Sequence, residues 1–509
     1  MFSTILSGAI NGMECRNVHV EADISMGLPS FSMVGFLGSE VKEAAERVKS
    51  AIRNTGVQIP AKRITVNLWP ADMRKSGTAF DLPIAAVVLA SLGQVEAKEL
   101  QGVFMAGELS LNGEVNGICG VLAMTLHARE QGMEYCVVPK ENATEGAVVE
   151  GIKVIGVGHI LEMLNFLKNK EKAIVQSVDV NTFFAREKEC ECDFSDIRGQ
   201  VRAKRAMEIA AAGRHNILLI GPPGTGKSML AKRLPYILPP LTMEESFSIT
   251  KIHSIAGVLP QNVPLLVTRP FLQPHHTSSP YALAGGGKIP KPGMISLAHR
   301  GVLFLDELPE FKREALEILR QPLEDKVIHI SRVGGNYEFP AELMVVAAMN
   351  PCKCGYYPDR NRCRCTFAEI SQYQGKLSKP LLDRIDLYVE VEGLGYDEIS
   401  NNSLKREKES EKMRDRVIAA GEIQRERYQG LPYSFNSELD AEGVYEFCVL
   451  NKEETELMKK IFHKMKLSAR GYHRMLKVAR TIADLEGEKE IQEKHLKEAA
   501  SYRRNYMME

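Results

Sequence analysis

No apolar stretch among these 509 residues approaches the ~18–20 needed to span a bilayer. The best run, Leu82 to Leu92, contains Pro83 and follows Asp81. No Lys or Arg precedes Arg16, so the charged start of a signal peptide is missing and a cytoplasmic protein is expected. Net charge is missing too: 65 Lys and Arg balance 65 Asp and Glu. No global field draws the chain to nucleic acid or membrane, although a ring basic on one surface stays open. Ten cysteines are too few for a disulfide scaffold; clustered ones point to metal and scattered ones to packing. Tandem repeats and low-complexity tracts are absent. What is there is ordinary folded protein, 44% hydrophobic and 26% charged, which excludes disorder over most of the length. At ~100–200 residues per domain, two to four domains are expected.

Residues 1–170 alternate strand and helix patterns. Val18 to Ile24 alternates apolar and polar residues, as a half-buried strand does. Val41, Ala44, Ala45, Val48 and Ile52 follow helical spacing, and Leu82–Leu92 reads as a buried helix. Ile64–Leu68, Tyr135–Val138 and Val154–Val157 read as strands, so an α+β domain is expected. Residues 171–193 are polar and read as linker, with Cys190 and Cys192 incidental to any metal site. Residues 194–393 form an α/β unit, and 394–509 are helical and highly charged. There Leu457, Ile461 and Met465 recur every four residues, while Lys405–Arg416 reads as a solvated face.

Gly221-Pro222-Pro223-Gly224-Thr225-Gly226-Lys227-Ser228 fits G-x-x-x-x-G-K-[ST] between a strand, Asn216–Ile220, and a helix from Met229. Such a loop cradles phosphates with backbone N–H groups. Lys227 would reach the β- and γ-phosphates of ATP, and Ser228 would ligate Mg²⁺. Gly301-Val-Leu-Phe-Leu-Asp306-Glu307 delivers two carboxylates from the end of an apolar strand. Asp306 would hold Mg²⁺, and Glu307 would act as general base on the attacking water.

Cys352, Cys354, Cys363 and Cys365 form two C-x-C pairs eight residues apart. Four thiolates suit tetrahedral Zn²⁺; four reduced cysteines in a surface loop are the other reading. Lys353, Arg360, Arg362 and Arg364 lie among Tyr356 and Tyr357, a mixture that suits a DNA backbone and its bases, or merely braces the site. His275 and His276 are adjacent, which favours a structural or pore-loop role over metal.

Taken in order, these motifs resemble an AAA+ ATPase. Asp196–Gln200 resembles the element beside the adenine pocket, and Leu343–Asn350 the sensor 1 strand. The resemblance implies that Asn350 contacts the γ-phosphate or its water. It implies that Arg384, in Leu381–Asp386, is an arginine finger acting on a neighbouring subunit, and that Arg470, in Ser468–Gly471, is the sensor 2 arginine, with Arg474 a substitute. Pro274–Ser278, Gly285–Gly287 and Leu323–Arg332 narrow the likeness to the magnesium-chelatase-like branch, and within it the chain resembles the YifB/ComM family from end to end. That family's N-terminal domain is similar to the proteolytic domain of Lon, a ribosomal S5 domain 2-like α+β fold. Aligned on Gly77, the nucleophile position is Ala79 and the dyad lysine position is Leu122. Neither side chain can make a nucleophile. Lys75 and Ser76 are neighbours whose side chains point to opposite faces of an extended strand. The expectation is an inactive Lon-like domain, an AAA+ core and a C-terminal helical lid, assembled as a hexamer as in AAA+ relatives. The resemblance implies DNA branch migration, a helicase-type activity, in homologous recombination during natural transformation, with recombination proteins as partners. A chelatase-type ATPase subunit for metal insertion and a nucleotide-regulated scaffold are the alternatives.

Overall fold

The computed structural model describes residues 1–185, 192–260, 263–287, 289–332, 335–393 and 408–503. Cys190, the boundary at residue 394 and the start of the charged run at Lys405 lie outside them.

The N-terminal body is built on a mixed seven-stranded sheet. Its strands are β1 (Phe2–Asn11), β2 (Glu14–Ser25), β3 (Ser30–Val34), β4 (Arg63–Trp69), β5 (Val103–Met105), β6 (Tyr135–Pro139) and β7 (Lys153–Val157). They lie in the order β3-β4-β2-β1-β5-β6-β7. β1, β2 and β4 pair antiparallel, while β3 joins β4, and β5, β6 and β7 follow β1, in parallel. In β2 the alternation puts Val18, Val20, Ala22 and Ile24 on the buried face. Helix α1 (Ser39–Asn54) packs its spaced apolar residues on α2 (Asp81–Ser91). All eleven residues of α2 are buried, which is why its apolar character runs all round. Pro83 is harmless because first-turn N–H groups have no partner inside the helix. Asp81 is buried at the helix start, and Arg47 holds it with two hydrogen bonds of 2.7 and 3.0 Å, joined by the Leu109 N–H at 3.2 Å. A buried carboxylate is tolerated only with such partners.

The segment expected to be a linker is tied down at several points. Gln176 bridges back to Val154, and Val180 is buried in a small cluster with Leu122, Val148, Val149 and Leu265. Asn181–Ala185 form a short helix, α4.

The second body holds a five-stranded parallel sheet. Strands β8 (Ile217–Ile220), β9 (Phe271–Leu272) and β10 (Val302–Leu305) are followed by a hairpin, β11 (Val327–Arg332) and β12 (Gly335–Pro340), then β13 (Met344–Met349) and β14 (Leu387–Glu390). The sheet order is β9-β10-β13-β8-β14, every neighbour parallel. β8, β10 and β13 are buried at every residue, as a sheet covered on both faces requires. β13 lies between β8 and β10, so the crevice at their C-terminal ends is where such folds bind ligands. Around the sheet run α5 (Val201–Gly213), α6 (Lys227–Ile237), α7 (Met243–Ala256) and α8 (Phe367–Gln374).

The C-terminal helices are α9 (Glu409–Arg427), α10 (Lys452–Lys464), α11 (Ala469–Leu485) and α12 (Glu493–Ser501). Their apolar faces share one cluster with α5 and the sheet, including Met413, Val417, Met475, Val478 and Ile482. Polar ties add to it: Arg474 Nη1 meets Asp386 Oδ1 at 2.7 Å, and Gln424 Nε2 donates to the Ala212 carbonyl at 3.1 Å. Among the described residues, no helix is long and apolar enough to cross a membrane.

Candidate active site

The phosphate loop turns between β8 and α6. Gly224 and Gly226 have φ of +79° and +90°, and a Cβ at either would meet nothing within 4 Å. Backbone demand, not crowding, therefore fixes these two glycines. Gly221 is fixed by closeness instead, since a Cβ there would stand 2.2 Å from the Val391 carbonyl oxygen.

Strand register brings the other groups to the loop. Ile220 lies level with Met349, which sets Gly221 beside Asn350 at the next step. Lys227 Nζ donates to the carbonyls of Gly221 and Pro222 at 2.7 and 2.8 Å and lies 3.3 Å from Asn350 Oδ1. Burial pushes the Lys227 pKa down, and the nearby Asp306 carboxylate opposes that shift. Ser228 Oγ donates to Asp306 Oδ2 at 2.8 Å. A hydroxyl and a carboxylate at that separation fit a shared Mg²⁺. Glu307 follows with φ +52° and ψ 46°, and its side chain is 59% exposed. That left-handed turn lets β10 present Asp306 to the loop and Glu307 to the solvent-facing crevice.

Three features escaped the sequence. His276 Nδ1 stands 3.4 Å from Glu307 Oε2, so the second residue of the His pair faces the candidate base. Gln200, at φ +53°, reaches the Glu392 carbonyl at 2.6 Å and the Thr225 carbonyl at 3.5 Å, tying the Asp196–Gln200 element to the loop. Asp193 accepts the N–H groups of Glu409 and Ser410 at the start of α9, and its own carbonyl accepts from Arg233 Nε at 2.6 Å. His276, Glu307 and Gln200 stood in quoted motifs, whereas Asp193 closed the expected linker; in all three cases the partners lie tens or hundreds of residues away.

The two arginines of the resemblance lie in contrasting surroundings. Arg384 is 6% exposed and its guanidinium is bonded within its own chain. Nη2 meets Glu324 Oε2 at 2.6 Å, Nε donates to the Arg320 carbonyl at 3.0 Å and Nη1 to the Pro380 carbonyl at 2.6 Å. A finger free to reach a neighbour needs those bonds exchanged. Arg470 is exposed in the first turn of α11 and makes no hydrogen bond among the described residues. Arg474 is the arginine held at the lid junction, by Asp386.

The four cysteines do come together. Their sulfurs all lie within 4.8 Å of one another, and among the described residues they form the one such metal-competent group. His275 and His276 are not part of it; His275 Nδ1 meets Thr277 Oγ1 at 2.8 Å.

In the N-terminal body, Ala79 packs with Val121 and Phe104, and Leu122 is fully buried against Leu265. Lys75 is buried, its amine donating to the Pro70 carbonyl. That bond goes to the backbone, not to the neighbouring Ser76.

Residues 193–399 match the family described as magnesium chelatase, subunit ChlI; residues 20–142 match subunit ChlI of Mg-chelatase, and residues 407–503 its C-terminal family. The competence protein ComM of Haemophilus influenzae is 43% identical over 504 residues, 98% of this chain and 97% of that protein. The YifB protein of Escherichia coli is 41% identical over 502 residues, again 98% and 97% of the two chains. The chain belongs to the YifB/ComM family. A Lon protease of Trichlorobacter lovleyi is 26% identical over 180 residues, 32% of this chain and 22% of that protein. This YifB/ComM member therefore combines a magnesium-chelatase-like AAA+ ATPase module, a C-terminal helical domain and a Lon-like N-terminal region.

Proposed function

We propose that the protein is an ATP-hydrolysing ring motor that acts on DNA, driving branch migration during homologous recombination of incoming strands. In this reading residues 1–170 are a proteolytically inactive Lon-like domain, 171–193 a linker, 194–393 the motor core and 394–509 the lid. The observation that carries the motor is the convergence of Lys227, Ser228, Asp306, Glu307 and Asn350 at adjacent strand ends. Gly224, Thr225, Gly226, Lys227 and Ser228 offer backbone N–H groups to phosphate, while Pro222 and Pro223 have none and shape the loop. Ser228 and Asp306 would hold Mg²⁺, which neutralises charge on the transferring phosphoryl group. Glu307 takes the proton of the water that attacks the γ-phosphorus; the bond to the β-phosphate oxygen breaks, giving ADP and phosphate. Asn350 orients that water or the γ-phosphate, and Arg470 or Arg474 reads the nucleotide from the lid. Arg384 exchanges Glu324 for a neighbour's γ-phosphate, which makes the hexameric ring part of the site.

Two observations support DNA as the track. The relative at 43% identity is named a competence protein. In the cysteine loop Arg362 stacks over Tyr356 at 4.0 Å, and Arg360 over Tyr357 and Phe367 at 5.1 and 4.8 Å. Guanidinium and aromatic faces of this kind suit phosphates and unstacked bases.

The test is phosphate release with and without a synthetic four-way DNA junction, followed by strand separation on that junction, with Glu307→Gln as control. Stimulated turnover and branch movement, both lost in the variant, are expected. Turnover indifferent to every DNA tried removes the DNA reading and leaves an ATPase whose partner is a protein.

A further inference from the structure

The cysteine loop does more than sit near the nucleotide site. Asn350, beside Lys227, is followed at once by Pro351 and Cys352. Gly355, at φ +88°, rests on the phosphate loop: a Cβ there would stand 2.6 Å from Pro223 Cδ and 2.9 Å from its Cγ. Behind it, Gln374 Nε2 of α8 donates to the Pro351 carbonyl at 3.0 Å. Cys352 is fully buried and accepts the Tyr357 N–H at 3.4 Å. Between Cys352 and Cys365 there is no helix or strand, so the shape of this stretch depends on what joins its ends.

The sulfurs supply the joint. Cys352, Cys354 and Cys363 stand 3.3, 3.7 and 3.5 Å apart, and all four lie within 4.8 Å. Disulfides would close to ~2.05 Å, and all four thiols are free. Ligands ~2.3 Å from a tetrahedral Zn²⁺ stand about 3.8 Å from one another, close to what is seen. The Tyr357 N–H to Cys352 is the outer-shell bond that orients a thiolate ligand.

We propose that Cys352, Cys354, Cys363 and Cys365 hold one thiophilic divalent ion of the zinc class, and that this ion clamps Pro223 and Asn350, so that nucleotide binding requires the metal. The proposal rests on the reading of the phosphate loop as the ATP site. Metal binding to four thiolates orders the loop. The ordered loop presses Gly355 onto Pro223 from one side and fixes the strand end that carries Asn350 from the other. Removing the ion frees both.

The experiment uses the full-length protein and the fluorescent nucleotide mant-ATP. Zinc content and mant-ATP affinity are measured as isolated, after a zinc-selective chelator, and after zinc is returned. One zinc per chain is expected, with a tenfold or greater loss of affinity on removal and recovery on return. Co²⁺ exchanged into the site should show the visible absorption of a tetrahedral thiolate complex. A second arm, Gly355→Val, keeps all four thiols but drives a side chain into Pro223; it should retain zinc and still bind mant-ATP several-fold more weakly. Protein that holds no zinc and takes up no Co²⁺ overturns the proposal. So does unchanged affinity with zinc verified as gone, or unchanged affinity in Gly355→Val at full zinc; this last arm decides if the metal-free chain melts. As-isolated protein that holds zinc but binds no mant-ATP instead sinks the ATP-site reading, and the proposed clamp with it.

Discussion

Glu307 owes its position to a backbone turn and its freedom to exposure, with His276 the ring 3.4 Å from its carboxylate. A general base contributes ~10²–10⁴-fold in rate. Glu307→Gln should therefore lower steady-state phosphate release by about two to three orders of magnitude while mant-ATP still binds. Equal losses in binding and turnover would make Glu307 a binding group instead. A different residue contributes to acid stability. His299 is buried, its Nδ1 accepts the Glu342 N–H at 3.2 Å, and Arg300 and Arg214 stand nearby. Burial first, then those guanidiniums, push its pKa down to about 3. The unfolded chain takes up the proton near 6.5 and the folded chain does not, so this term favours folding above 6.5 and is lost as pH falls from there towards 3. At pH 5 the loss should be about 2 kcal/mol. His299→Asn keeps an acceptor at the Nδ1 position. Urea midpoints at pH 7 and pH 5 should differ less in this variant than in the parent, and equal differences would exonerate His299.

At the scale of elements, α2 is the plainest test of the core. Leu89 is fully buried near its C-terminal end. Leu89→Ala should cost about 2–5 kcal/mol, read from the denaturant midpoint, with the larger value if the site fails to collapse. This helix could be read from sequence because its apolar run was long and bounded by Asp81. β2, β4, β6 and β7 were legible through alternation or short apolar runs, and the phosphate loop through its spacing between strand and helix. The hairpin of β11 and β12 was not identified: Ile328, Ile330, Tyr337 and Phe339 face the core and His329 and Glu338 face out, but each six-residue strand offers only two such inward positions, too few to stand out as a period. Long-range pairing was the other blind spot. Glu324, which binds Arg384, is 60 positions upstream, and Pro223 lies far from the Gly355 that leans on it. Local pattern reports periodicity and turn chemistry; it does not report which charged residue a fold brings opposite another.

In the whole molecule, the N-terminal body meets the motor through α3 (Val121–Glu130) against α7; Leu122 of the one and Phe247 of the other join the small Leu122 cluster. Glu145 accepts the Leu122 N–H at 2.8 Å and the Ser254 hydroxyl of α7, and the Gly120 N–H donates to the Ser254 carbonyl at 3.2 Å. The position a dyad lysine would need is thus sealed into a junction between bodies. The double change Ala79→Ser with Leu122→Lys should yield no casein cleavage and a lower melting temperature, because an amine would be buried without a partner. Casein cleavage by that variant would show the junction to be open. Assembly poses the last question, and Arg384 decides it. If its guanidinium serves a neighbour, Arg384→Ala chains keep an intact phosphate loop and lack only the finger, whereas Lys227→Ala chains keep the finger and lack the loop. Each alone should be inactive, and mixing them should restore turnover at interfaces that pair one of each. If Arg384 only braces Glu324 and the Arg320 turn, mixing restores nothing and both contacts belong to the fold of one chain.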